Sequence, residues 1–199
     1  MKQDHVIAEI KKYYRNIYNR INEEVFKGDL PEAYFNIVGA LKTKVPSSLK
    51  ILEDGNFVIK IPFSRIFITK ENLLISLLHQ MIHIDCNIKG ILDTGNGGCF
   101  HNRKYLEVAK KIGLDASYQP RTGSEIIGLG RLAYLQQLEI LESYYDFIQK
   151  IEYESIAKVL KANNSRLTKY TCPSCKQNVW GGQNVNVFCG KCGTHFIIN

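Results

Sequence analysis

The chain has 199 residues, a net charge of +7, 45% hydrophobic residues and 23% charged residues. This composition is ordinary for a soluble globular protein, and the length suits one medium domain plus a small module. No apolar run reaches the roughly 18 residues that span a bilayer, and residues 1–12 are polar rather than a secretory signal. We expect a cytoplasmic protein that has no membrane partner.

The first third of the chain predicts one helix followed by strands. Apolar residues recur at three- and four-residue spacing over residues 3–27, which predicts an amphipathic helix. Residues 33–38 and 57–63 are apolar, partly alternating runs that are typical of strands. Asp54-Gly55 lies between apolar runs and predicts a hairpin turn. The mixture of elements indicates an α+β fold with a small sheet.

Further helices are predicted downstream. Residues 71–88 form a largely apolar run that predicts a buried helix, and a Gly-rich loop at 93–98 leads to a helix over 101–112. Residues 121–130 contain three glycines and are predicted to be irregular. Apolar spacing then predicts one long helix over about 131–162. We favour packing of this helix on the core; a coiled-coil dimer is the alternative, which the imperfect repeat disfavours.

The buried helix carries the sequence His79-Gln80-Met81-Ile82-His83. Two histidines four residues apart lie on one helical face, so they can bind the same metal ion. In the H-E-x-x-H motif of zinc hydrolases, the glutamate takes the proton of the metal-bound water, and Gln80 cannot do so. The sequence predicts intact metal ligands without the general base. Two core histidines satisfied by hydrogen bonds are the alternative.

A catalytic zinc ion takes a third protein ligand and leaves one position for water. The downstream candidates are Asp85, Cys86, Asp93, Cys99, His101 and Glu107. We favour His101, because the Gly-rich loop before it lets the chain fold back and because it opens the next predicted helix. We interpret Cys86 and Cys99 as small buried residues or as groups that support the ligands.

Four cysteines near the C-terminus form two C-x-x-C pairs separated by 13 residues: Cys172, Cys175, Cys189 and Cys192. This spacing predicts a second zinc site, in which sulfur fills all four positions, so the metal is structural. A module of about thirty residues cannot build a large core, and zinc should supply much of its folding energy. His195 is a spare candidate ligand that we expect to be an exposed strand residue.

The cysteine module is also a candidate surface for DNA. No Asp or Glu occurs from Asn163 to Asn199, and Trp180 lies among basic and amide residues. Aromatic and basic side chains together suit stacking on unpaired bases. The predicted contacts are Lys169, Lys176, Trp180 and Lys191. A lid over a protease cleft and a protein-docking surface are the alternatives.

Four stretches of sequence resemble SprT-like zinc metalloproteases: Leu78–His83, Gly90–Thr94, Gly97-Gly98 and Phe100–Tyr105. The C-terminal four-cysteine ribbon also fits that family. The resemblance implies a zincin-like core, with His79, His83 and His101 as the zinc ligands. It also implies an endopeptidase related to the Spartan enzymes, which degrade proteins crosslinked to DNA.

On this basis residues 1–130 are interpreted as the protease core, 131–165 as a long helix and linker, and 166–199 as the zinc ribbon. Residues 118–164 have no clear counterpart in the family. The expected function is a zinc endopeptidase acting on protein substrates that are bound or crosslinked to DNA. A zinc-binding pseudoprotease that binds DNA or protein, and a purely structural adaptor with two zinc ions, are the alternatives.

Gln80 departs from the family motif, and we expect it to abolish or strongly reduce activity. One explanation is a change introduced to trap an inactive enzyme, since Gln preserves the shape of Glu and leaves metal binding intact. The other is a natural pseudoenzyme that keeps zinc for structure or binding. The other residues of the site, including the predicted metal ligands, are intact, which favours the first explanation.

Overall fold

A computed structural model describes residues 3–39, 47–95, 100–151, 168–182 and 185–198. The chain divides into two compact units, Met1–Tyr153 and Glu154–Asn199. The described part of the first unit is mixed α and β, with two small sheets, while that of the second consists of short strands and turns. Within the described residues, every helix is too short or too polar to cross a membrane.

The first unit begins with helix α1 (Gln3–Phe26), which packs on the sheet that follows. Strands β1 (Ala33–Val38), β2 (Ser48–Ile51) and β3 (Phe57–Pro62) form that sheet, with β3 in the middle. Strand β3 is parallel to β1 and antiparallel to β2, so the predicted helix, strands and hairpin are confirmed.

Helix α2 (Lys70–Ile88) lies at the centre of the first unit and carries the two spaced histidines. Thr69 caps its N-terminus, where the side-chain oxygen accepts the backbone N–H of Asn72. Ten of its side chains are buried, including the polar Gln80 and Asp85. The prediction of a buried helix is confirmed, because this helix packs against elements on several sides.

The strands of the second sheet lie on both sides of helix α3 (Arg103–Ile112) in the sequence: two precede the helix and two follow it. Its strands are β4 (Thr94–Gly95), β5 (Phe100–His101), β6 (Asp115–Gln119) and β7 (Gly123–Gly128), in the order β4-β5-β7-β6. The prediction of irregular structure over 121–130 is wrong, because β7 pairs antiparallel with β6. Short strands rich in glycine lack the alternation that reveals a strand in the sequence.

The helix expected to open at His101 begins two residues later. Asn102 is its N-cap, and its side-chain oxygen accepts the backbone N–H groups of Lys104 and Tyr105. His101 therefore lies in strand β5 rather than in the helix.

The prediction of one long helix from residue 131 is also wrong. Residues Gly130–Gln137 form a 3₁₀ segment, Leu138 is extended, and helix α4 covers Glu139–Gln149. Both kinds of helix bury a residue every three or four positions, so apolar spacing does not distinguish them. Helix α4 packs on α1, with the rings of Tyr13 and Phe147 5.2 Å apart. The continuation to residue 162 and the predicted linker lie outside the described residues.

The second unit contains strands β8 (Thr168–Thr171), β9 (Asn178–Gly181), β10 (Phe188–Cys189), β11 (Thr194–His195) and β12 (Ile197–Ile198). They form a three-stranded antiparallel sheet, β12-β8-β9, and a short hairpin, β10-β11. Among its described residues, only Tyr170, Cys172 and Cys189 are buried. So small an apolar core cannot supply much stability by itself.

Candidate metal centres

Three histidines converge in the first unit. His79 and His83 project from one face of α2, and β5 brings His101 against them. The Nε2 atom of His83 lies 3.3 Å from that of His79 and 3.1 Å from that of His101. His101, the third ligand favoured from the sequence, is therefore the residue that lies against His79 and His83.

The other side of each imidazole ring makes its own hydrogen bond. His83 Nδ1 lies 2.5 Å from a carboxylate oxygen of Asp93, and His79 Nδ1 lies 2.9 Å from the hydroxyl of Tyr105. The ring of His101 hydrogen-bonds to the backbone of Ser124. Partners of this kind orient metal-binding histidines and select the tautomer whose free nitrogen faces the ion.

Burial favours the uncharged form of two of these rings. It lowers the pKa of His79 to about 3, with further lowering by the neighbouring His83 and His101. Burial also lowers the pKa of His101. A neutral imidazole presents a lone pair, which is the form that binds a metal ion.

The spacing of the nitrogens fits zinc. Tetrahedral ligands at Zn–N bonds of about 2.0–2.1 Å lie about 3.3–3.4 Å from one another. The observed separations of 3.1 and 3.3 Å match that value closely. Nitrogen lone pairs at such a distance repel one another unless a shared proton or a cation lies between them, so the geometry is compatible with zinc.

Two long-range contacts hold His101 in place. Strand β5 pairs with β7 at His101 and Gly123, where Gly123 has φ of +82°. A Cβ atom at Gly123 would lie 2.5 Å from the carbonyl oxygen of His101, so a side chain cannot fit there without moving the backbone. The Ser124 hydroxyl also donates to the carbonyl of Asn102 at 2.6 Å.

The block Phe100–Tyr105 includes Asn102 and Tyr105, to which the sequence assigned no role. The structure gives both a role. The Asn102 amide donates to the carbonyl of Leu92 at 2.7 Å, which ties the segment bearing Asp93 to α3. Tyr105 is fully buried, and its ring centroid lies 4.3 Å from that of His101. The signal available in the sequence was their position within four residues of His101.

The histidines border a cleft of about 500 Å³. Gln80 also lines the cleft, and only 3% of its surface is exposed. Its amide nitrogen donates to the carbonyl oxygen of Ser47 at 3.2 Å, just before β2 begins. The Gln80 side chain is therefore at the cleft and hydrogen-bonded to the residue that precedes β2.

Among the described residues, the remaining candidate ligands do not join the three histidines. Asp93 hydrogen-bonds to Nδ1 of His83. Asp85 pairs with Lys89, which follows the last residue of α2. Cys86 is buried, and burial raises the pKa of its thiol to about 12. Glu107 is exposed on α3, and Cys99 lies outside the described residues.

Four sulfur atoms converge in the second unit. The Sγ atoms of Cys172, Cys175, Cys189 and Cys192 all lie within 4.8 Å of one another. That of Cys175 is 3.8 Å from that of Cys189, the separation expected of tetrahedral ligands at Zn–S bonds of about 2.3 Å. The cluster is thus compatible with zinc and already has four donors.

Each C-x-x-C pair is followed by a turn with left-handed backbone. Lys176 has φ of 61° after the first pair, and Gly193 has φ of 66° after the second. A backbone hydrogen bond from Cys175 is the main cause that lowers the pKa of Cys172 to about 6. Thiol hydrogen bonds, led by that of Cys175, raise the pKa of Cys192 to about 12.

The residues predicted to contact DNA are exposed. Lys169 on β8 lies directly opposite Trp180 on β9, and 62% of the Trp180 surface is exposed. Lys176 and Lys191 are exposed in the turns beside the cysteines. His195 is an exposed residue of β11, as predicted, and lies apart from the four sulfur atoms.

Comparisons with family models, with curated proteins and with solved structures found no match to this chain. The fold and the two centres define its class. It is an α+β protein with one candidate site of three histidines and one of four cysteines, both compatible with zinc.

Proposed function

We propose that this chain is a zincin-like, SprT-like protein with a peptidase site whose general base has been replaced by Gln80. The observation that carries the proposal is the meeting of three imidazole nitrogens with Gln80 at one open cleft. Three protein ligands beside open space are the arrangement of a catalytic zinc ion, whereas a structural ion is enclosed by four.

The cleft has an edge strand along which a polypeptide can lie. Strand β2 pairs with β3, and among the described strands its other edge has no partner. Ser48, Leu49 and Ile51 from β2 line the cleft together with the histidines. A substrate can add to such an edge through backbone hydrogen bonds, which suits cleavage within a chain.

The chemistry follows from the groups at the cleft. Bound zinc supplies a Lewis acid that polarises a carbonyl and makes water more acidic. Asp93 and Tyr105 hold two of the histidines in orientation. The Gln80 amide can donate and accept hydrogen bonds but cannot take a proton, so we expect the loss of a factor of about 10²–10⁴ in rate.

The second centre completes the proposal. Four sulfur donors leave no position for water, so we assign the cysteine site a structural zinc ion. The exposed Trp180 opposite Lys169 supports a contact with DNA, and hence protein substrates that are bound or crosslinked to DNA.

The direct test is to restore the base. The Gln80→Glu variant and the chain as it stands are incubated with a DNA-binding protein, with and without single-stranded DNA. We expect cleavage by the variant alone, and we expect a chelator to stop it. The double variant Gln80→Glu/His101→Ala is the matched control, because it has the base but lacks a ligand. A Gln80→Glu protein that holds zinc and cleaves nothing would overturn the proposal.

One observation favours a second function, a zinc-binding pseudoprotease. The Gln80 amide donates to the Ser47 carbonyl, a bond that an ionised glutamate cannot make. Gln80 therefore fastens β2 to α2 in this chain, which suits a cleft that binds polypeptide without cutting it. Tighter peptide binding by the native chain than by Gln80→Glu, with no cleavage by either, would support this function.

A further inference from the structure

A second cavity adjoins the histidine centre and is not used by the proposed chemistry. It has a volume of about 440 Å³, and His101 lines both this cavity and the cleft. It lies between the start of α3 and the β6–β7 hairpin, with lining residues from Gly95 to Gly123. A ligand held there would be next to a polypeptide in the cleft.

The lining of this cavity is cationic. Arg103, Lys104 and Arg121 contribute to it and are exposed, and no described lining residue is Asp or Glu. Three cations around one concave surface, without acidic neighbours in the described lining, attract an anion. The charge alone does not distinguish a nucleic acid from an acidic peptide.

Aromatic rings at the same place make that distinction. Tyr118 and Phe100 line the cavity with 41% and 37% of their surfaces exposed. The guanidinium carbon of Arg103 lies 5.2 Å from the centre of the Tyr118 ring. Exposed aromatic faces and a guanidinium plane are surfaces on which unpaired bases stack, and an acidic peptide has no such need.

We propose that this cavity binds single-stranded nucleic acid, with bases on Tyr118 and Phe100 and phosphates on Arg103, Lys104 and Arg121. All of the described residues that line it belong to the first unit. Binding at this site does not depend on the proposed function. Only its biological role does, which is to hold the nucleic acid of a DNA-bound substrate beside the cleft.

The test is equilibrium binding by the full chain with zinc bound, which requires no cleavage. Fluorescence anisotropy measures the affinity for a labelled single-stranded oligonucleotide of about 16 nucleotides, the upper end of common site sizes. We expect Tyr118→Ala to weaken binding roughly five-fold or more, the loss of one stacked base. Tyr118→Phe should bind like the native chain, because the ring remains.

Arg121→Ala tests the phosphate contact. We expect weaker binding and a smaller dependence on salt, by about 0.7 in the logarithmic slope for one lost contact. Lys110→Ala is the matched control, since it removes an exposed positive charge from α3 outside the cavity. Trp180→Ala, combined with each variant, separates this site from the cysteine module, and we expect the losses to add.

The outcomes separate this site from the proposed function. If Tyr118→Ala and Arg121→Ala bind as Lys110→Ala does, the site is wrong even where Gln80→Glu cleaves its substrate. If polyglutamate competes as well as the oligonucleotide, the cavity is an acidic-peptide site and the proposal is overturned. If binding falls as expected while Gln80→Glu proves inactive, the nucleic-acid site stands without the peptidase.

Discussion

The two candidate metal centres are built in opposite ways. The histidine centre takes its donors from a buried helix and a short strand, and the surrounding core holds both in place. The cysteine centre takes its donors from two turns in a unit whose described residues include three buried hydrophobic side chains. In the first unit the fold positions the metal ligands, whereas in the second the metal should hold the fold.

The centres also differ in what they leave open. Three nitrogens border a cleft, while four sulfur atoms face one another. The contrast teaches that, where both sites suit zinc, donor number and surroundings together distinguish a site open to a further ligand from a closed one. The first three of the changes below each act on one centre and spare the other, and the last acts on neither.

The largest effect is expected from removing a sulfur ligand. Cys189→Ala should unfold the cysteine module, because zinc binding supplies about 10–16 kcal/mol in comparable small modules. Amide hydrogen exchange should show lost protection in residues 168–198 and retained protection in α2. Cys86→Ala is the control, since Cys86 lies outside the cluster. A module that keeps its protection would show that zinc does not hold it together.

Gly123→Ala should have the next largest effect. An L-residue at positive φ costs about 1–2 kcal/mol, and the added Cβ meets the His101 carbonyl. We expect His101 to be displaced, metal at the histidine centre to be lost, and the melting temperature of the first unit to fall by about 2–8 °C. Gly128→Ala in the same strand is the control, because its Cβ has ordinary contacts. Equal metal content in both variants would contradict this account.

Tyr105→Phe should weaken the histidine centre without disturbing the fold. It keeps the ring that packs on His101 and removes the hydroxyl that partners His79. Loss of such a partner lowers metal affinity by about 10–100-fold. Competition with a fluorescent chelator measures this affinity, and zinc in the cysteine module should be unchanged. Unaltered affinity would mean that the hydroxyl does not orient the ligand.

The smallest effect is expected at alkaline pH. Burial raises the pKa of Tyr145, whose hydroxyl donates to the Ile68 carbonyl, from 10.0 to about 12. A raised pKa favours folding at pH below 10, and this contribution disappears as pH rises towards 12. The free energy of unfolding should therefore fall over that range less steeply in Tyr145→Phe than in the native chain. Tyr34→Phe, at an exposed ring, should behave like the native chain.

Local patterns in the sequence predicted much of the fold. The spacing of apolar residues located α1 and α2, and the Asp54-Gly55 turn located the hairpin of β2 and β3. These patterns depend on neighbours within a few residues, so they can be read without the fold. The β6–β7 hairpin and the break at Leu138 were missed, because pairing and packing partners decided them.

The same distinction between local spacing and long-range contacts applies to the candidate sites. The sequence by itself determined that His79 and His83 share one helical face and that the cysteines form two close pairs, since both follow from short spacing. Only the tertiary structure decided that His101 completes the first group, because Gly123, distant in sequence, sets the position of its strand. Long-range packing likewise placed Tyr105 behind His79 and joined the two cysteine pairs across the strands between them.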